Sequence, residues 1–438
     1  MNSIPQGWEI KTLGEVCKIN PKNKLDDDLE VSFIPMNLIA DKYQNKFSYE
    51  IRKWSEVKKG YTHLQNRCIA IAKITPCFEN GKCVILQDLK NGYGAGTTEL
   101  IVVLADENKI LPKFVFYFFN TTNFTKEGVK NFKGTAGQLR ISKDFITNLQ
   151  IPLPPLETQK AIVEKLENAF AHIDEAVHHL KAVQTNIPRL KSSLLHCAFS
   201  GKLTESQNQS HKVQTLKSVV GVEGETLPFE PLHPLIKAEI PQGWEIKTLG
   251  EIGKVVSGGT PSTSNKDNFD GEIAWITPAD LSGYKEKYIS KGKRNLSEQG
   301  LKNSSARLLP PNSILFSSRA PIGYVAIASN ALCTNQGFKN LIPNNNVSSE
   351  YIYYFLLHSK RLAESVASGT TFKEISATNF SKLPIPLPPL ATQKQIVQIL
   401  ESKFAHLDNL AQFVNASLEN LQRLKSSLLN QAFKGELV

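Results

Sequence analysis

The chain has 438 residues, 41% of them apolar and 21% charged, a composition that implies a folded protein with more than one core and excludes a disordered, collagen-like or disulfide-scaffold chain. Its 51 lysines and arginines against 41 aspartates and glutamates give a formal charge of +10, which favours a polyanionic partner. The longest apolar runs fall far short of the ~18 residues of a bilayer span, the start MNSIPQGWEI lacks a signal layout, and the six cysteines form no CxxC pair, so a cytoplasmic protein with reduced, mostly buried thiols is expected.

In chain order, the first feature is IPQGWEIKTLGE at 4–15, which recurs without a change at 240–251. A divergent stretch follows, 16–150. Within it, Gly92-Tyr-Gly94-Ala-Gly96 resembles a cofactor-binding turn, but the β-branched run TTELIVVL comes next rather than a helix start, so a hairpin or surface loop is expected. KFVFYFF at 113–119 is dense enough in apolar residues to be core. IPLPPLETQK at 151 then opens a segment that returns as IPLPPLATQK at 385, with 30 identities in 53 ungapped positions. Between the second start and the second boundary lies another divergent stretch, 252–384. EYIYYFL at 350 echoes the first aromatic run, and SGTTFKEIS at 368 echoes KGTAGQLRIS at 133. The framework is duplicated and its filling is not. Residues 15–150 carry 20 basic and 15 acidic side chains and residues 251–384 carry 15 and 10, so the excess charge sits in the two divergent units.

After each PLPPL segment the pattern becomes helical. Leu166, Ile173, Leu180, Ile187 and Leu194 recur every seven residues, with Phe170 and Val177 at the companion position. The second copy repeats the pattern with Leu400, Leu407, Val414, Leu421 and Leu428, and Phe404 as companion. Such heptads predict a coiled-coil seam, and a helix of about 40 residues, ~60 Å long, needs a partner for its apolar stripe. Its own duplicate is the nearest candidate. Pro188, where the second copy has Gln422, predicts a kink or break near Ile187 in the first helix alone. Gly201 and Gly435 are stop signals. The polar, Gly/Pro-punctuated stretch 204–239 reads as a linker.

Signatures of catalysis are missing from the sequence: GxxxxGK[ST], HExxH, GxSxG and the Asn/Asp-Pro-Pro-aromatic tetrapeptide of amino-methyltransferases do not occur. His178 and His179 have no ligand-type residues at metal spacing and read as a solvated helix face, while His172 and His406 match each other inside the repeat. No metal site and no cofactor is expected in this chain.

The repeated start, SGGTPS at 257–262, SSRAPIG at 317–323, TNQGF at 334–338, the PLPPL boundary and the RLKSSLL tail together resemble the DNA-specificity subunit of type I restriction-modification systems, over nearly the whole chain and twice over. The resemblance implies an α/β (α+β) architecture of two similar target-recognition domains joined by two long conserved helices that form an antiparallel coiled coil with pseudo-two-fold symmetry. The implied domains are 1–155 and 240–389 as readers, 156–203 and 390–438 as helices, and 204–239 as linker. Each reader would recognise one half of a split, asymmetric site on double-stranded DNA, and the helices would set the spacer and dock two methyltransferase subunits. S-adenosylmethionine would belong to those subunits, and ATP and Mg to two restriction (motor-nuclease) subunits where such are present. The first reader departs from the pattern, with INPKNK in place of SGGTPS and AKITPCFENGK in place of SSRAPIGYVA.

A target reader needs cations for phosphates and amide, hydroxyl or guanidinium groups for base edges. The candidates in the second reader are Gly258, Gly259, Thr260, Ser317, Ser318, Arg319, Asn335, Gln336, Thr370 and Lys373. In the first they are Lys73, Thr75, Lys82, Lys133, Thr135, Gln138 and Arg140. For each, a purely structural role in a turn or loop is the competing reading. The competing function is a coiled-coil scaffold that organises partner proteins without reading DNA sequence.

Overall fold

A computed structural model of the protein describes residues 4–135, 138–205, 241–369 and 373–437. The chain divides into two units, Met1–Ala182 with Val414–Val438, and Val183–Phe413. Neither unit follows a boundary between repeats. Each holds one reader, the start of that reader's own long helix and the end of the other copy's helix.

In the first unit the reader contains two four-stranded sheets. One runs in the order Cys17–Ile19, Leu100–Ala105, Ile69–Ala72, Cys83–Ile85, and the other Glu50–Lys53, Glu30–Ile34, Tyr93–Gly96, Thr62–Gln65. A separate ribbon pairs Glu9–Thr12 with Gln150–Leu153, so the two ends of the reader close on each other. The aromatic run forms the helix Pro112–Phe119, buried throughout from Phe114, and its Phe114 and Phe118 rings meet Phe433 from the end of the second long helix. Burying six large apolar side chains on so short a helix contributes on the order of 10 kcal/mol, at ~25 cal/mol per Å² of apolar surface. The tempting glycine turn is a strand, Tyr93–Gly96, inside the second sheet; a Cβ on Gly94 would lie 2.5 Å from the Ser32 carbonyl oxygen. Its glycines serve close strand approach.

The second unit repeats the plan with its strands divided five and three instead of four and four. A five-stranded sheet has the order Gly253–Ser257, Phe338–Pro343, Ile314–Ser318, Ile322–Ala328, Tyr288–Ile289. A three-stranded sheet has the order Arg294–Leu296, Phe269–Ile276, Cys333–Thr334, and the closing ribbon pairs Glu245–Thr248 with Pro384–Leu387. The second aromatic run lies in the helix Ser349–His358 and packs on Phe199 of the first long helix, through Tyr351 and Phe355.

The long helices are Leu156–Phe199 and Leu390–Ala432. Within each unit their segments run antiparallel. In the first unit Lys165 Nζ donates to the Leu437 carbonyl at 3.0 Å and Lys425 pairs with Asp174 at 2.6 Å, so rising numbers on one segment meet falling numbers on the other. Lys191 pairs with Asp408 at 2.6 Å in the second unit, the same two positions with the copies exchanged. Each lysine also lies over the matching phenylalanine, Lys425 over Phe170 at 4.8 Å and Lys191 over Phe404 at 5.1 Å. A lysine at a seam position is tolerated because its stem packs on the ring while its ammonium reaches an exposed carboxylate.

Every expected seam residue is buried or half-buried, but the phase drifts. Leu166 and Leu400 are fully buried, whereas four heptads on Leu195 and Leu429 are more buried than Leu194 and Leu428. A straight helix slips ~20° per heptad against a strict seven-residue repeat, and four heptads bring it close to the ~100° of one residue. The break expected at Pro188 is absent, for the helix runs on to Phe199. Ile187 is anchored in the interior while Pro188 is exposed, so the proline ring stands on the solvent side of the helix. Of the linker 204–239, residues 206–239 lie outside the described residues.

A buried glutamine fixes the foot of each long helix. Gln159 accepts from the Leu111 N–H at 2.9 Å and donates to the carbonyls of Lys109 and Pro154. Gln393 accepts from the Ser348 N–H and donates to Pro388 in the same manner.

Candidate nucleic-acid interface

In the second reader the separate sequence candidates converge on one cluster of loops. Strands Phe269–Ile276 and Cys333–Thr334 run parallel, which carries Asn335 and Gln336 out beside the glycine loop. The Gly259 N–H donates to the Thr334 carbonyl, the Trp275 indole N–H donates to the Gly259 carbonyl at 3.1 Å, and the Thr260 hydroxyl donates to the side-chain carbonyl of Gln336. A Cβ on Gly258 would stand 1.9 Å from the Asn335 carbonyl oxygen, so this glycine is required for packing. Ser318 joins the cluster through its N–H to the Gly337 carbonyl at 2.7 Å, and Arg319 joins through Glu374 at 3.4 Å.

Several candidates hold the cluster together instead of facing outward. Ser317 is fully buried, its hydroxyl donating to the Pro321 carbonyl and accepting from the Tyr324 N–H. Ser318 is equally buried, and its hydroxyl donates to the Gly337 carbonyl. Asn335 uses its side-chain carbonyl on the Gly337 N–H. Gly258 and Gly259 are buried as well. The outward groups are Gln336 and Lys373, with Thr260 and Arg319 half-buried beside them. Thr370 lies outside the described residues.

The first reader places the corresponding groups in the same way. Its parallel pair, Phe33 with Ala95 and Ile34 with Gly96, sets Thr97 and Thr98 where the second reader has Asn335 and Gln336, and Glu99 where it has Gly337. Lys73 donates its N–H to the Glu99 carbonyl, and Thr75 donates to Leu139. Arg140 forms a two-pronged ion pair with Glu99, at 2.9 and 3.0 Å, which holds the Glu99 carboxyl below its ordinary range. Arg140 is therefore a clamp. Lys82 is committed to Asp41 at 3.2 Å and to the Ile39 carbonyl, with its side chain largely buried. Lys133, Thr135 and Gln138 are exposed, and Lys73 and Thr75 are half-buried.

The clamp has the opposite polarity in the second reader. Where Arg140 bridges back to Ile74 and Lys133, Glu374 bridges back to Arg319 and Ser368. Glu374 receives the buried Lys339 at 3.1 Å as well as Arg319.

Sequence reading missed the densest positive surface. The run KEKYISKGKR, 285–294, has five cations and one acid; Lys285, Lys291, Lys293 and Arg294 are exposed. Asp280 anchors it, accepting from the Lys293 N–H at 2.9 Å and from Thr277. The Arg294 guanidinium lies 3.6 Å over the Phe269 ring. Lys285, Lys291 and Lys293 have no ion-pair partner among the described residues. Local charge density was the signal available.

The described residues contain no group of three His, Cys, Asp or Glu placed to hold a metal ion, and no helix long and apolar enough to cross a membrane. The cysteines are free; burial pushes the Cys17 and Cys68 thiols up to about 12 and Cys333 to about 11, which makes them inert.

Two duplicated readers, each closed by a ribbon and seated on antiparallel helix segments, define a modular recognition protein rather than an enzyme. The chain belongs to the family whose shared module is the type I restriction modification DNA specificity domain, matched at residues 5–183 and again at 241–420. It is a specificity subunit with two target-recognition domains, a non-catalytic chain. It is 30% identical over 500 aligned positions to the type I restriction enzyme EcoAI specificity subunit of Escherichia coli, covering 98% of this chain and 83% of that one. It is 41% identical to the MjaIX specificity subunit of Methanocaldococcus jannaschii over 198 positions, 44% and 45% of the two chains. Among solved structures, the HsdS subunit from Thermoanaerobacter tengcongensis shares the fold at a TM-score of 0.67 and 20% identity, over 99% of this chain and 98% of that one. A chain from a type I R-M system solved for its complex assembly and conformational transition does so at 0.74 and 21%, over 99% and 100%.

Proposed function

We propose that each reader recognises one half of a split, asymmetric duplex site, that the paired helices set the distance between halves at about one helical turn, and that they dock two methyltransferase subunits. Methylation then occurs on the partners, which hold S-adenosylmethionine; a motor-nuclease partner, where present, supplies ATP- and Mg-dependent cleavage. Residues 1–155 and 240–389 act as readers, 156–203 and 390–438 as spacers. The observation that carries this reading is the convergence of outward polar groups on one loop cluster per reader. Thr260, Arg319, Gln336 and Lys373 are the contact groups in one, with the 285–294 run on phosphates; Lys73, Thr75, Lys133, Thr135 and Gln138 are those in the other.

The test is a gel-shift series in rising salt, followed by mapping of methylated bases in DNA modified by the chain together with its methyltransferase. The expected result is a steep loss of binding with salt and a bipartite methylated motif, since phosphate neutralisation releases counterions. Label transferred from methyl donor to DNA by this chain alone, or binding without salt dependence, would overturn it.

A further inference from the structure

Two carboxylates stand behind the cation-rich run of the second reader. The run 285–294 crosses the edge of the five-stranded sheet as the strand Tyr288–Ile289, where the Ile327 N–H donates to the Lys287 carbonyl at 2.9 Å and the Ser329 N–H to the Ile289 carbonyl at 3.0 Å. Two residues are a short strand, and the open cations lie on both sides of it, Lys285 before and Lys291 and Lys293 after. Lys287 belongs to the same run but is turned inward, its side chain 21% exposed. Its ammonium pairs with Glu401 of the long helix and lies 5.8 Å from the centre of the Tyr354 ring, which in turn meets Phe404 of that helix. The Tyr288 hydroxyl donates to Glu350, in the first turn of the helix Ser349–His358, at 2.5 Å.

An acid beside a cationic run weakens the potential that draws phosphates, and an ion pair as open as this one, with the Glu401 side chain 43% exposed, adds little stability. The first reader shows what the same positions do without such a run. There Lys113 stands in the place of Glu350 and Glu167 in the place of Glu401, and the two pair directly at 2.6 Å. The sheet edge Cys83–Ile85 carries no further strand among the described residues, and the Ile85 N–H donates to the Asn45 side chain at 2.8 Å instead. In the second reader the basic partner has moved from the helix into the run, and the place it left holds a second acid for that run. The pair of acids forms a receptor for residues 287 and 288.

We propose that Lys287 and Tyr288 are positioning residues for DNA binding: Glu401 and Glu350 hold them on the helices, and that grip sets Lys285, Lys291 and Lys293 in place for the phosphates they contact. This rests on the reading of 285–294 as a phosphate-binding run. A run held in advance gives up little conformational freedom when DNA arrives. Lys287 itself contacts no phosphate, its charge being committed to Glu401. Binding of the full chain to a labelled duplex of random sequence is followed by fluorescence anisotropy across a salt series. If charge alone acted, neutralising the two acids would tighten binding. Glu350→Gln with Glu401→Gln is expected instead to weaken it about 10-fold and to lower the slope of log affinity against log salt by more than the ~0.9 of one phosphate contact. Lys287→Met should match that loss, and Lys287→Arg, which keeps the ion pair, should rescue both readouts. Glu167→Gln, in the reader without the run, should not weaken binding, and the double Gln variant should keep its melting temperature. Unchanged or tighter binding by the double Gln variant, or an early melt that accounts for its weakness, would overturn the inference. If Lys291→Ala and Lys293→Ala leave the slope of the otherwise unaltered chain in place, it is the phosphate-contact reading that fails.

Discussion

The two readers share a plan and an excess charge of +5 each, yet they deploy that charge differently. In the first, cations on and beside the strand Glu50–Lys53 are neutralised nearby: Arg52 by Glu50, Lys53 by Asp28 and Lys58 by Asp27. In the second, Lys287 and Arg294 of the 285–294 run pair with Glu401 and Asp270, while Lys285, Lys291 and Lys293 are left open among the described residues. The clamps that tie the candidate loops together also have inverted signs, Arg140 on Glu99 against Glu374 on Lys339 and Arg319. What the framework preserves is the place of an ion pair, not its polarity. Geometry is common to both readers, and chemistry is specific to each.

The sharpest contrast is in acid. His358 stacks on Phe199 and its buried Nε2 has no hydrogen-bond partner, whereas the aromatic run of the first unit reaches Thr121 at the matching position. Burial, reinforced by His196, pulls His358 down to about 4. Its folded value lies below its unfolded one near 6.5, so the unfolded chain binds more protons between the two, and stability present above pH ~6.5 is lost as pH falls toward 4. The second unit is expected to lose roughly 2–3 kcal/mol across that window. Thermal melts of the full chain from pH 7 to 4.5 should show it giving way first, and His358→Phe should abolish the difference; parallel loss in both units would break the comparison.

A smaller effect is expected at the clamps. Glu374→Arg sets a third cation against the buried Lys339 and should cost about 2 kcal/mol, reduced from the figure for a fully buried pair because Glu374 is about a third exposed. Adding Lys339→Glu recreates the polarity of the first reader and should restore the melting temperature. If the double change is as damaging as the single one, position alone does not define the clamp.

The smallest effects concern salt. Lys291→Ala and Lys293→Ala should each lower the slope of log affinity against log salt by about 0.9, one phosphate contact apiece. Lys53→Ala and Lys58→Ala, whose charges are already matched, should leave it unchanged. Equal slopes for all four would remove the distinction between open and neutralised cations.

Much of the fold was legible because the chain carries its own comparison. Repeated ends announced two modules, and the heptads of both copies announced helices that need each other. The drift from Leu194 to Leu195 was hidden because heptad counting assumes a supercoil, while these helix ends follow the reader cores. Pro188 does not end the helix, because the anchoring of its neighbour Ile187 in the interior is a tertiary effect that local sequence does not display. At the candidate site, residue type picked out groups that the fold gathers into one loop cluster per reader, but several of their side chains are turned inward. Ser317, Ser318 and Lys82 have base- or phosphate-binding chemistry, but satisfying buried backbone groups uses the same chemistry. Gln159 and Gln393 show the converse, polar residues on a helix pattern whose burial only the finished fold displays.

The division of the chain has a consequence for its synthesis. Residues 183–413 form an uninterrupted unit, while the first reader's core includes Leu429 and Ala432, close to the end of the chain. The reader that leaves the ribosome first is therefore the one completed last. Until Phe433 emerges, the faces of the Phe114 and Phe118 rings that rest on it stay uncovered, and the nascent chain carries that apolar surface through the making of the entire second module.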